Sequence, residues 1–136
     1  MHWEAVMQAT TAVHLDNIGQ IALTVTNIDE ARAFYRDTLG MRFLFDAGTL
    51  AFFQCGSVRL MLTTGEGNAA PSDRTVLYFR VTDLEGIHAA LAAREVRFEQ
   101  EPHLIARMPD HELWMAFLRD PAGNLLGLME EKRQSS

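Results

Sequence analysis

The chain has 136 residues, 48% hydrophobic and 22% charged, with a mean hydropathy of -0.05. This is the composition of one globular domain with its own hydrophobic core, not of a collagenous, disordered or disulfide-stapled chain. A formal net charge of -6 argues against a nucleic-acid or anionic-membrane surface, and no apolar run approaches the roughly 20 residues of a bilayer span.

Residues 1–13 lack the basic-then-apolar order of a secretory signal, and residues 1–17 read as an N-terminal extension, either packed on a neighbour through Trp3, Val6 and Met7 or loosely held. Residues 18–25, rich in β-branched and apolar side chains, predict a strand. Asn27 can cap a helix, with Glu30 three residues on. Ile28, Ala31, Phe34, Tyr35 and Leu39 then keep a helical spacing, and Gly40 stops it. Arg32, Arg36 and Arg42 are interleaved with acids and read as a solvated face. Three strands are expected over residues 41–46, 49–55 and 58–63, with turns at Asp46-Ala47-Gly48 and Gly56-Ser57. Cys55, the only cysteine, reads as a buried, inert thiol; it permits no intrachain disulfide and suits a reducing cytoplasm.

A linker rich in Gly, Asn, Pro, Ser and Asp follows at residues 67–73, and the pattern returns. Residues 76–81 predict a strand, and Thr82-Asp83-Leu84-Glu85 repeats the capping logic. Leu84, Ile87 and Leu91 make a second amphipathic helix, on which His88 reads as a packed histidine. Strands are expected over 96–99, where Pro102 would interrupt or end pairing, over 114–118, and over 125–129. Asp120-Pro121-Ala122-Gly123-Asn124 is a strong turn. Residues 132–136 form a polar tail.

The order is strand, helix, three strands, twice over. Val25-Thr26-Asn27-Ile28 aligns with Val81-Thr82-Asp83-Leu84, an offset of 81 − 25 = 56, and Met41-Arg42-Phe43 with Val96-Arg97-Phe98. One such βαβββ module cannot cover both faces of its strands. Two modules, residues 18–66 and 74–131, are expected to form one α+β domain: a cupped, partly closed mixed β-sheet with helices outside and a pocket in the cup.

The segments Ile21-Ala22-Leu23-Thr24-Val25, Ala31-Arg32-Ala33-Phe34-Tyr35 and Leu39-Gly40-Met41, with Phe117-Leu118-Arg119-Asp120-Pro121-Ala122-Gly123-Asn124-Leu125-Leu126, resemble the vicinal oxygen chelate superfamily. That superfamily holds glyoxalase I, extradiol dioxygenases, methylmalonyl-CoA epimerase, fosfomycin-resistance enzymes and bleomycin-resistance proteins. The resemblance implies a pocket in the cup, commonly with a divalent metal acting as a Lewis acid. Its ligands would come from the first and fourth strands of each module: His or Gln, then Glu, then His, then Glu. Carried over, these positions are Gln20, Met61, Val76 and Gly127. Only Gln20 offers a donor, and one amide oxygen does not hold a divalent ion against water. No metal and no other cofactor is therefore expected at the family position.

By the period of two, Arg59 shares a face with Met61, and Tyr78 with Val76. These side chains, with Trp114 as a further wall, are candidate ligand contacts in an otherwise apolar cup. His103, Arg107, Asp110, His111 and Glu112 cluster between the late strands. They read either as a solvated hairpin or as a relocated catalytic site, with His103 or His111 as general base and Glu112 beside them. The expected function is small-molecule binding in the manner of bleomycin-resistance proteins; the alternatives are an enzyme of the glyoxalase or dioxygenase type with a relocated site, or a partner module without a ligand. The family resemblance also implies a homodimer.

Overall fold

The computed structural model describes residues 11–64 and 75–133. The expectations for Trp3, Val6, Met7 and the linker at 67–73 lie outside them. The first module comprises β1 (Gln20–Thr24), α1 (Ile28–Ala33), β2 (Arg42–Ala47), β3 (Leu50–Cys55) and β4 (Val58–Thr63). The second comprises β5 (Leu77–Arg80), α2 (Leu84–Ala93), β6 (Phe98–Arg107), β7 (His111–Arg119) and β8 (Leu125–Arg133).

Each module forms a four-stranded mixed sheet, ordered β1-β4-β3-β2 and β5-β8-β7-β6. The first and last strands of each module run parallel, which requires a crossover, and the helix supplies it. The α+β fold of two βαβββ modules is the one observed, as two open sheets rather than a closed barrel.

Both helices start as their sequences dictate. The Asn27 side chain accepts from the Glu30 amide at 2.9 Å, and Asp83 from the Gly86 amide at 3.1 Å. Glu130 on β8 accepts a further amide, that of Leu84, at 3.0 Å. After α1 the chain widens into a π turn over Phe34–Thr38, closed by the Leu39 amide on the Phe34 carbonyl at 2.9 Å. This turns Tyr35 fully inward. Gly40 then takes φ +72°, the left-handed conformation that ends the helix.

One core spans both modules. Phe53, Leu60 and Leu62 from the first join Leu84, Leu118, Leu126 and Leu128 from the second. Polar groups fasten it. The buried Tyr35 hydroxyl donates to Asp120 Oδ2 at 2.9 Å. Asp120 Oδ1 accepts the amides of Ala122 and Asn124 at 3.0 and 2.8 Å. The Asn124 side chain donates to the Thr24 carbonyl at 2.7 Å and to Asp120 at 2.9 Å. The Asp-Pro-x-Gly-Asn turn of one module is thus the buried clasp on the other. Burial and the neighbouring Asp120 raise the Tyr35 phenol far above its ordinary pKa, so the hydroxyl keeps its proton and stays a donor.

The late strands are longer than their sequence suggests. β6 passes through Pro102 to Arg107, and β7 begins at His111 rather than at 114. Pro102 is tolerated because β6 is the outer strand of its sheet, where a missing amide hydrogen breaks no ladder on the open side. Its pairing with β7 shifts register three times, and β2 shifts once between Phe43 and Phe45. β8 runs to Arg133, so Lys132 and Arg133, expected in the tail, are strand residues pairing with Glu112 and His111. No helix among the described residues is long and apolar enough to cross a membrane.

Candidate ligand faces

Alternation sorts β1 and β4 into two faces. Leu23, Leu60 and Leu62 go to the core; Gln20 and Ala22, with Arg59 and Met61 on the neighbouring strand, go to the open face. There Arg59 Nε donates to Gln20 Oε1 at 2.9 Å, and Gln20 Nε2 lies 3.8 Å from Met61 Sδ. The Arg59 guanidinium also sits 5.5 Å from the Phe52 ring centroid, and Phe52 stacks on Phe45 at 4.8 Å. The first module so presents one cation held between an amide and an aromatic pair. Phe45 is 46% exposed, so the face is open.

The second module fills the corresponding place differently. Tyr78 stands opposite Gly127 in the β5–β8 ladder. A Cβ at position 127 would lie 2.6 Å from Tyr78 Cδ2 and 3.3 Å from Phe117 Cε1. With the ring where it is, no side chain of any kind fits there. Tyr78 and Phe117 meet edge to face at 5.9 Å, an aromatic pair over bare backbone. Val76 precedes β5 and, with Tyr78, lines a cleft of about 320 Å³ against Ile21, Cys55 and Val58 of the first module.

Gln20, Met61, Val76 and Gly127, the positions that the resemblance assigns to metal ligands, hold an amide, a thioether, an isopropyl group and no side chain. The amide oxygen already accepts from a guanidinium, whose charge repels a second cation. A lone thioether is a soft, neutral donor, ill-suited to the hard divalent ions. The residues present do not fit the group. Among the described residues, no cluster of three or more His, Cys, Asp or Glu side chains is placed to hold a metal either.

The histidine candidates are not brought together. His103 lies opposite Met115 across the β6–β7 ladder, while His111 lies opposite Arg133. Four residue steps along β7 part 111 from 115, about 13 Å at ~3.3 Å per step. His103 Nδ1 is 2.8 Å from the Glu101 carbonyl, and His111 Nδ1 is 2.8 Å from Asp110 Oδ1. Asp110, held below the usual carboxylate range first by His111 and then by Arg133, also accepts from Arg133. Glu112 accepts from the Trp114 indole at 3.0 Å and from Arg107 at 3.2 Å. The indole bond above all holds its carboxyl low and ionised. Trp114 alternates with the buried Ala116 and Leu118, on the helix side of the sheet. There the Lys132 ammonium lies 4.6 Å from its ring centroid. His88 packs edge-on against Phe98 at 4.5 Å.

The pairing of Arg59 with Gln20 follows from strand alternation plus the repeat. Phe45, Phe52 and Phe117 as walls do not: they stand in the apolar runs 43–45, 50–53 and 113–118, where alternation leaves no mark on the sequence.

A family model described as "Glyoxalase/Bleomycin resistance protein/Dioxygenase superfamily" matches residues 17–128. Among solved structures, the chain is similar to a lactoylglutathione lyase from Agrobacterium tumefaciens, at 27% identity and TM-score 0.66, covering 85% of this chain and 93% of that one. It is also similar to a glyoxalase family protein from Bacillus anthracis, at 26% identity and TM-score 0.69, covering 90% and 100%. A third, TnmS3, an antibiotic binding protein from Streptomyces sp. CB03234, shares the fold at 21% identity and TM-score 0.72, covering 89% and 100%. No curated protein matches the chain.

Proposed function

Since the chain belongs to the glyoxalase/bleomycin resistance protein/dioxygenase superfamily, we propose that it is a metal-free binder of a small apolar or aromatic molecule, held on the open faces of its sheets. The observation that carries this reading is the Tyr78 ring lying over Gly127, together with Arg59 on Gln20. The places a metal and its carboxylate would need are taken by a phenol ring and a guanidinium. A planar ligand would stack on Phe52 and Phe45 or on Tyr78 and Phe117, and Arg59 would meet its polar end. TnmS3, which shares this fold, is named as an antibiotic binding protein, in keeping with a binding role for such a scaffold.

Gln20, Arg59, Met61 and Gly127 do not line the apolar cleft in which Val76 and Tyr78 meet the first module. We extend the proposal to a homodimer in which a second copy closes the cup over each face. The proposal includes a reducing compartment such as the cytoplasm, which a single cysteine suits.

Elemental analysis of the untagged protein from metal-supplemented cells tests this. The expected result is far less than one ion per chain, with an aromatic ligand from a thermal-shift panel binding equally well with and without EDTA. One Zn, Ni, Mn or Fe per chain would overturn it. The second reading, a lyase, isomerase or dioxygenase with a relocated site, draws on the 27% identity to the lactoylglutathione lyase and on the Asp110–His111 contact. It would gain if turnover of a carbonyl or phenolic substrate were found and then lost in His103→Ala or His111→Ala.

A further inference from the structure

A second cleft, of about 290 Å³, lies on the helix side of the fold, away from the faces described above. Its walls are apolar: Leu39, Met41, Phe79, Ile87, Leu91 and Leu128. At about 30 Å³ per water-sized group, it has room for roughly ten. Ile87, 37% exposed, marks its mouth.

The cleft carries a cation at its rim. Arg94, just past the end of α2, reaches across to the first module and donates through Nη1 to the Thr38 carbonyl at 2.9 Å and the Asp37 carbonyl at 3.4 Å. A cation at this place complements the carbonyl end of α2, but that does not require the side chain to cross to another module. The crossing fixes the guanidinium beside the cleft with donors to spare, because two of its N–H directions at most serve these carbonyls. Among the described residues no carboxylate pairs with Arg94. The nearest acid in sequence across the gap, Asp37, is bound bidentately by Arg36.

An apolar slot with an oriented guanidinium at its mouth, unpaired with any carboxylate of the described residues, is complementary to one ligand class. We propose that this cleft binds a small amphipathic monocarboxylate, its alkyl or aryl part between α2 and β5 and its carboxylate on Arg94. The bond is charge-assisted and planar, of the kind a guanidinium makes best. This site is separate from the sheet faces and stands whether or not the ligand reading of those faces does.

Titration of the full-length, ¹⁵N-labelled chain with octanoate, and separately with 1-octanol, tests the proposal. Octanoate should give saturable amide shifts confined to residues 38–41, 79–81 and 87–94. Arg94→Gln should weaken octanoate about tenfold, the loss of one charge-assisted hydrogen bond, while leaving octanol unchanged. Ala90→Leu, on an exposed helix position that lines the cleft, should abolish both with the fold's circular dichroism intact. No saturable shifts, equal losses for octanoate and octanol in Arg94→Gln, or shifts centred on Gln20 and Tyr78 instead would each overturn it.

Discussion

The two modules solve one packing problem with opposite choices. In the first, Ala22 stands beside Met61 across the parallel ladder; at the equivalent place in the second, Tyr78 stands beside Gly127. The bulky partner has moved from the last strand of the module to the first. Either arrangement fills the space once, and neither supplies a carboxylate. The connecting turns diverge as sharply. Gly56-Ser57, leading into β4, is an exposed turn with Gly56 at φ +61°. Its counterpart leading into β8 is the buried clasp at Asp120 and Asn124. A repeat of similar backbones therefore does not distribute its stability evenly: the second module's turn fastens both halves, and the first module's turn only reverses the chain.

The sharpest way to break that contrast is Asp120→Ala. It removes the oxygens that accept from the buried Tyr35 hydroxyl and from the Asn124 backbone and side-chain amides, and should cost about 3 kcal/mol, read as a lowered urea midpoint. Next comes Gly127→Ala, which should cost about 1–2 kcal/mol by overpacking against Tyr78. In a Tyr78→Ala background that cost should nearly vanish, so a double-mutant cycle reports the coupling directly. Gly56→Ala should cost about 1 kcal/mol, because only the left-handed backbone is strained and no partner is lost. If it matched Asp120→Ala, the two turns would be equivalent and the contrast would fail.

The smallest effect belongs to the surface pair Glu85–Lys132, at 2.7 Å. The Lys132 hydrogen bond holds the Glu85 carboxyl below its ordinary 4.5, and the same bond raises Lys132 above 10.5. The depressed acid contributes stability above pH 4.5, lost as pH falls through its lowered value. The raised base contributes below pH 10.5, lost as pH rises through its raised value. Glu85→Gln should thus cost under ~0.5 kcal/mol at pH 7, since both groups are solvated. The difference from the unmodified chain should close near pH 2, as chemical unfolding at the two pH values will show.

Much of the fold is legible in the residues. The caps at Asn27 and Asp83, the stop at Gly40 and the alternation of β1 and β4 are local events, dictated by neighbours within four positions. The extent of β6 to β8 is not, because Pro102 argues locally for an end while the sheet edge makes it harmless. The face of Trp114 is hidden for another reason: Trp114-Met115-Ala116-Phe117-Leu118 is apolar throughout, so a period of two leaves no polar mark. Of the candidate site, Arg59 against Gln20 follows from sharing a face. Tyr78 over Gly127 depends on a register between strands some fifty residues apart, and no spacing within either strand encodes it. The cleft beside Arg94 joins elements of both modules and is likewise invisible until they dock.

The irregular outer strands have a consequence for the protein in a crowded cell. β2 and β6 each end one side of their sheets, with no further strand beside them among the described residues, but each is broken in pitch, and Pro102 offers no amide hydrogen. A stray extended chain meeting either border finds donors and acceptors out of step and cannot add itself as a further strand. Fibril growth is thereby discouraged along β2 and β6.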